Sequence, residues 1–211
     1  SIARAKAEGA DLVVFAELAV SGYPPRDFLE FDDFIERCDQ AVLEIADDCR
    51  DIAAVIGCPV RNPDIKGKNL LNAALFLADG KISHSYYKAL LPNYDVFDEY
   101  RYFEPGRKFD IVDFKGKKIA LTVCEDLWDI SEDPLYVLNP MDELIKQVTA
   151  KSGITEDQAG KAVETVLGFL QDGLPGSVAG QIDDLLNSDV GDVPKRSGGL
   201  LDHLYRLIKS L

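Results

Sequence analysis

Two short apolar runs, Leu12–Phe15 and Ala53–Val60, bracket a long amphipathic stretch, and this arrangement constrains the fold more than any other feature of the chain. Neither run alternates polar with apolar residues, which is the pattern of a strand buried on both faces in an α/β protein. Between them, Phe28–Ile52 carries Phe34, Ile35, Ala41, Val42, Ile45 and Ala46 at helical spacing, with acids on the other face; one helix is predicted there. A preceding helix over Ile2–Ala10 ends at Gly9, a C-cap residue.

Two hairpins follow. Leu70–Leu77 and Lys81–Tyr87 flank Ala78-Asp79-Gly80, and Asp-Gly between strand-like runs is a strong hairpin signal. Phe109–Phe114 and Ile119–Val123 flank Lys115-Gly116 in the same way, while Asn93–Pro105 and Asp126–Pro140 read as irregular. The predicted fold class is therefore α/β. Three chemically capable residues stand at predicted strand ends: Glu17 after the first strand, Lys88 after the first hairpin, and Cys124 in KKIALTVCEDLW after the second. Strand ends are where α/β enzymes place working side chains. Each also has a plainer reading: Glu17 as a hydrogen-bonded shoulder residue, Lys88 as a lysine whose stem covers apolar surface, and Cys124 as a small core hydrophobe.

Composition narrows the partners. Net charge is −14 over 211 residues, and an acidic surface repels phosphate backbones, so nucleic acid is not an expected ligand. No apolar run approaches membrane-spanning length and no secretion signal is present, so a cytoplasmic protein is expected. The cysteines Cys38, Cys49, Cys58 and Cys124 show no CxxC spacing, and only His84 and His203 are available beside them, which argues against zinc and against a disulfide framework. The chain begins at Ser1 inside what reads as a helix, and is taken as a fragment.

The stretches VVFAELAVSGYPPRDFL, YYKALLPNYDVFDEYRYFEPG and LTVCEDLWDISEDPLYVLNPMDEL, in this order, resemble the nitrilase-type glutaminase domain of glutamine-dependent NAD synthetase. The resemblance covers Ser1 to about Lys146. It implies an α-β-β-α sandwich and a catalytic set of Glu17 as general base, Lys88 as electrophilic stabiliser and Cys124 as nucleophile, with Tyr94 lining the glutamine pocket. It also implies glutamine hydrolysis through a Cys thioester. The ammonia would pass to a separate synthetase domain that amidates deamido-NAD. No cofactor is expected in this segment, since ATP and magnesium belong to that other domain.

The chain departs from the family pattern in three places. Ala16 stands where the family has Pro, the family's first strand is not seen before Ser1, and the segment that returns to the sheet after MDELIK is absent. About half of the sandwich is expected. Exposed sheet edges then imply a homo-oligomer.

Past residue 147 the character changes: net charge is −11 up to that point (17 basic, 28 acidic) and −3 beyond it (6 basic, 9 acidic). Two units are read, a partial hydrolase domain over 1–147 and a small all-α segment over 148–211. Thr155-Glu156-Asp157-Gln158 is a capping box that opens a helix, and Ser177–Leu186 and Gly199–Leu211 read as two more. Met141–Leu170 also resembles the first two helices of HU-like DNA-binding proteins, but without their basic surface. A chimera joined near MDELIK accounts for both resemblances. Ser197–Asp202 lacks the strand context and spacing of a pyrophosphate loop and is not read as one. Two other functions compete with the glutaminase: a catalytically inactive binding or assembly module, and a hydrolase of another small amide.

Overall fold

The protein was analysed as a computed structural model that describes residues 2–64, 66–94, 96–128, 139–155, 157–159 and 161. The helices expected over Ser177–Leu186 and Gly199–Leu211 lie outside the described residues.

Helix α1 (Ile2–Ala7) leads to strand β1 (Leu12–Val14), and helix α2 (Asp32–Asp48) carries the chain to β2 (Ala53–Arg61). β1 pairs parallel with β2, while β3 (Leu70–Ala78) and β4 (Lys81–Tyr87) add antiparallel, giving one four-stranded sheet in the order β1-β2-β3-β4. The turn between β3 and β4 places both Asp79 and Gly80 at positive φ, 54° and 74°. This is the conformation whose twist suits a two-residue hairpin. β5 (Ile111–Phe114) and β6 (Lys117–Ala120) form a separate two-stranded sheet, again turning on two positive-φ residues, Lys115 and Gly116.

Strand alternation builds the layers. Ala54, Ile56 and Cys58 of β2 with Ala73, Leu75 and Leu77 of β3 face α2, where Cys38, Val42 and Ala46 meet them. The opposite faces, Ala53, Val55, Ala74 and Phe76, pack on Val112, Leu121 and Val123 from the second sheet. The outer face of β5 meets helix α5 (Pro140–Ser152) through Ile111, Met141 and Leu144. Helix, sheet, sheet and helix therefore stack in that order, a mixed α/β sandwich of the kind the resemblance implies.

Four local expectations are corrected. The single helix predicted over Phe28–Ile52 is broken: a 3-10 turn at Arg26–Glu30 precedes α2, and Phe31 between them is extended. Asp32 and Asp33 then place negative charge in the first turn of α2, where the helix dipole favours it. The β6 ladder ends at Ala120 rather than Val123, although Leu121 and Val123 stay buried. Short helices α3 (Glu99–Tyr102) and α4 (Glu125–Trp128) occupy parts of the segments expected to be irregular. Finally, Pro140 is the first residue of α5, and the helix is capped by Asn139, whose side chain accepts the Met141 and Asp142 N–H groups.

Helix α5 runs through residue 147, where the charge pattern changes, and stops at Gly153 in the left-handed region. The capping box beyond it is formed: Gln158 N–H donates to Thr155 Oγ1 at 3.2 Å and Thr155 N–H to Gln158 Oε1 at 2.9 Å. Among the described residues no helix is long and apolar enough to cross a membrane.

Candidate active site

Glu17 leaves the end of β1 on a backbone pressed against β2. A side chain at Gly57 would place its Cβ 2.2 Å from Leu18 N and 2.7 Å from the Glu17 carbonyl carbon, so only glycine admits this approach. Leu18 itself takes φ 50°, turning the chain immediately after the acid.

Lys88 is the first residue past β4. Its N–H donates to Asn72 O and its carbonyl accepts from Gly106 N–H, both at 2.8 Å. Gly106 repeats the device seen at Gly57, since a Cβ there would lie 2.0 Å from Tyr87 O. The Lys88 side chain is completely buried, which rules out a stem lying on the surface with its ammonium in water. Its Nζ donates to Glu17 Oε1 at 2.8 Å and to both oxygens of Glu99 at 2.9 Å. Asn72 Nδ2 completes the cluster, 2.7 Å from Glu17 Oε1 and 3.4 Å from Glu99 Oε2.

Cys124 sits between the end of the second hairpin and α4, at φ 45°. It is exposed, whereas Cys38, Cys49 and Cys58 are buried. A non-glycine residue at positive φ in a tight strand-to-helix turn is strained, and such strain is commonly kept at working sites. The three residues singled out in the sequence thus reach one locality, where Lys88, Glu17 and Glu99 all act electrostatically on the Cys124 thiol.

Residues 1–130 match the carbon-nitrogen hydrolase family. The chain belongs to that family. It is similar to the glutamine-dependent NAD(+) synthetase of Xanthomonas campestris, 46% identical over 121 residues, which are 56% of this chain and 21% of that protein. Among solved structures it resembles the glutamine-dependent NAD+ synthetase of Acinetobacter baumannii, with a TM-score of 0.60 and 32% identity over 69% of this chain and 26% of that one. An amidase of the nitrilase superfamily from Nesterenkonia shares the fold, with a TM-score of 0.54 at 22% identity over 71% of this chain and 51% of that one. The chain therefore spans about a fifth to a quarter of the length of the synthetases it matches.

Around Lys88 the electrostatics are set by two carboxyl groups on either side of one ammonium. Burial alone would push the Lys88 ammonium down, but Glu17 and Glu99 overcome it and hold the lysine above its ordinary value. Burial raises the Glu99 carboxyl against the opposing pull of Lys88. Crowding by protein pushes the Cys124 thiol up to about 12; Lys88 pulls it back, and Glu17, Glu125 and Glu99 push it further up.

Tyr94 lies at the same place, its O–H donating to Glu125 Oε1 at 2.7 Å while its ring meets Phe97 edge-on at 5.8 Å. Tyr23, from the GYPP stretch, adjoins the cluster; burial first, then Glu99 and Glu17, hold its phenol well above the ordinary value. The sequence reading did not single out Glu99, Asn72, Glu125, Asp126 or Tyr23. Among the described residues no group of three or more His, Cys, Asp or Glu side chains is arranged to hold a metal ion. Two surface cavities lie away from this cluster. One, of about 390 Å³, opens between α2 and β4 and is lined by Leu43, Ile82 and Tyr87; another, of about 340 Å³, adjoins Phe28, Phe31 and Phe34.

Proposed function

We propose that this domain hydrolyses the side-chain amide of glutamine and supplies the ammonia for ATP-dependent amidation of deamido-NAD by a synthetase domain. The observation that carries the reading is the fully buried Lys88, held between Glu17 and Glu99 beside an exposed Cys124 in a strained turn.

The steps follow from that placement. Glu17 takes the thiol proton and Cys124 sulfur attacks the amide carbon, so that a C–S bond forms and the carbonyl electron pair moves to oxygen. The Lys88 ammonium faces that developing charge, the kind of fixed donor whose removal typically costs ~10²–10³ in rate. The tetrahedral species collapses, the C–N bond breaks, and Glu17 returns its proton so that nitrogen leaves as ammonia. Water, deprotonated by Glu17, then attacks the thioester carbon; the C–S bond breaks and Glu17 passes its proton to the departing sulfur, releasing glutamate and the thiol. Tyr94 and Glu125 are assigned to the wall that receives glutamine. No cofactor takes part in these steps, and ATP with magnesium is assigned to the synthetase partner. Among the described residues β1 is paired on one side only, by β2, and such an edge supports self-association of the domain.

The test is glutamate release from glutamine by the full chain beside Cys124→Ala. Release that vanishes in the variant supports the proposal. Release no greater than that of the variant sinks it in favour of a non-catalytic module, and faster turnover of another small amide reassigns the substrate.

A further inference from the structure

Asp126 stands two residues past Cys124 and is completely buried, yet both of its carboxylate oxygens are used. Oδ1 accepts the N–H groups of Ala89 at 3.0 Å and Leu90 at 2.8 Å, the two residues that follow Lys88. Oδ2 accepts the Tyr86 O–H at 2.8 Å, two residues before Lys88, and the Val123 N–H at 3.2 Å, the residue before Cys124. One carboxylate thus ties the Tyr86 side chain before Lys88 and the backbone after it to the backbone that enters the Cys124 turn.

We propose that Asp126 is a positioning residue that fixes the Lys88 segment against the Cys124 turn; this rests on the roles of Lys88 and Cys124 assigned above. The chemistry suits the task. Hydrogen bonds to an ionised acceptor are shorter and about twice as strong as neutral ones, and four of them fill the acceptor capacity of a carboxylate. The turn at Cys124 needs such an anchor because its φ of 45° is not one that the residue adopts by itself. Lys88 is the cation that draws the Cys124 thiol toward thiolate. A looser joint between the two segments therefore costs thiolate at Cys124, which a carboxylate serving only the interior would not do.

The experiment is alkylation of Cys124 by iodoacetamide in the full chain at about pH 8.5, followed by peptide mass spectrometry, with the buried Cys38, Cys49 and Cys58 as internal references. Asp126→Asn keeps an oxygen for Ala89 and Leu90 but sets an amide N–H against the Val123 N–H. The expected result is alkylation of Cys124 at least about threefold slower, in a variant whose circular dichroism shows it folded. Where glutamine turnover is present, kcat falls while KM stays near that of the parent. A folded Asp126→Asn chain alkylated at the parent rate overturns the proposal. If that variant does not fold, Tyr86→Phe decides: slower alkylation supports the clamp and an unchanged rate overturns it. Alkylation needs no glutamine hydrolysis, so a parent chain that releases no glutamate defeats the glutaminase reading while the rates still decide the role of Asp126.

Discussion

Lys88 Nζ stands 2.9 Å from both oxygens of Glu99, and this buried pair is closed on its other side by Glu17 at 2.8 Å. Glu99→Gln replaces an anion by an amide and turns an N–H group toward the ammonium. Breaking a buried ion pair by removing one partner typically costs about 3–5 kcal/mol, and the lysine proposed to face the reacting carbonyl loses its support. The expected outcome is a Tm lowered by several degrees together with a loss of glutamate release of at least about tenfold. Thermal melts and a glutaminase assay check both, and a variant that keeps the parent Tm and rate would remove Glu99 from the site.

Gly57→Ala tests how Glu17 is placed. The added methyl meets Leu18 N at 2.2 Å, a backbone atom that cannot rotate away, so the Glu17 segment must lift from β2. Overpacking of this kind costs about 1–3 kcal/mol. Denaturant melts are expected to show that loss, and kcat to fall with Cys124 intact and still open to alkylation. Gly106→Ala is expected to act alike, since its methyl would meet Tyr87 O at 2.0 Å next to Lys88, whose carbonyl accepts the Gly106 N–H.

The strands and hairpins were legible in the sequence because they follow from unbroken apolar runs and from Asp-Gly and Lys-Gly turns, which are local signals; their stacking into layers was implied only by the family resemblance. Lys88 and Cys124 were legible as strand-end residues, although the β6 ladder stops at Ala120. Glu99 was not. It lies in a four-residue helix inside an aromatic stretch, and its burial against Lys88 depends on how that stretch folds back. Two motifs read separately, GYPPRDFL and VFDEYRYF, prove to be joined: Tyr102 O–H donates to Asp27 at 2.5 Å, and Arg101 reaches Asp27 at 3.1 Å and Glu30 at 3.2 Å. A pairing across 75 positions leaves no periodicity to read. Asn72 and Asp126 were hidden for the same reason, since each looks in sequence like an ordinary polar residue near a strand.

Stability should rise as the solution is made mildly acid. Burial pushes the Asp126 carboxyl up to about 6, against the lowering effect of its hydrogen bonds from Leu90, Tyr86 and Val123. A carboxyl raised in the folded chain binds its proton there before the unfolded chain does. Its contribution is fully present below the ordinary carboxyl range and is lost as pH climbs through about 6, a difference on the order of 2–3 kcal/mol. Tm is expected to increase from pH 7 to about 5 in the parent, and to change less in Asp126→Asn. Equal slopes in both chains would contradict this assignment.

Tyr94→Phe removes the O–H that donates to Glu125 at 2.7 Å and leaves the ring beside Phe97. A hydrogen bond to a carboxylate contributes about 1.5–3 kcal/mol. If the pair forms the glutamine wall, KM should rise severalfold while kcat changes little, read from initial rates over a range of glutamine concentrations. A fall in kcat at constant KM would instead place Tyr94 with the reacting atoms.

Glu17→Gln separates a catalytic acid from a structural one because two measurements should move in opposite directions. The Cys124 thiol is pushed up to about 12 by crowding, is lowered by Lys88, and is raised by Glu17, Glu125 and Glu99. Cys124 keeps contact with solvent, so the surrounding charges are the part of this balance that a substitution can move. Removing the Glu17 anion makes thiolate easier to form, and iodoacetamide should modify Cys124 at least about threefold faster near pH 8.5. The same variant has no base to take the thiol proton or to return it to the leaving nitrogen, and general acid–base catalysis is worth about 10²–10⁴-fold. Glutamate release should therefore fall by at least about a hundredfold. A side chain that only props up the fold would slow both reactions or neither, so faster alkylation with lost turnover is the signature that assigns Glu17 to the proton transfers.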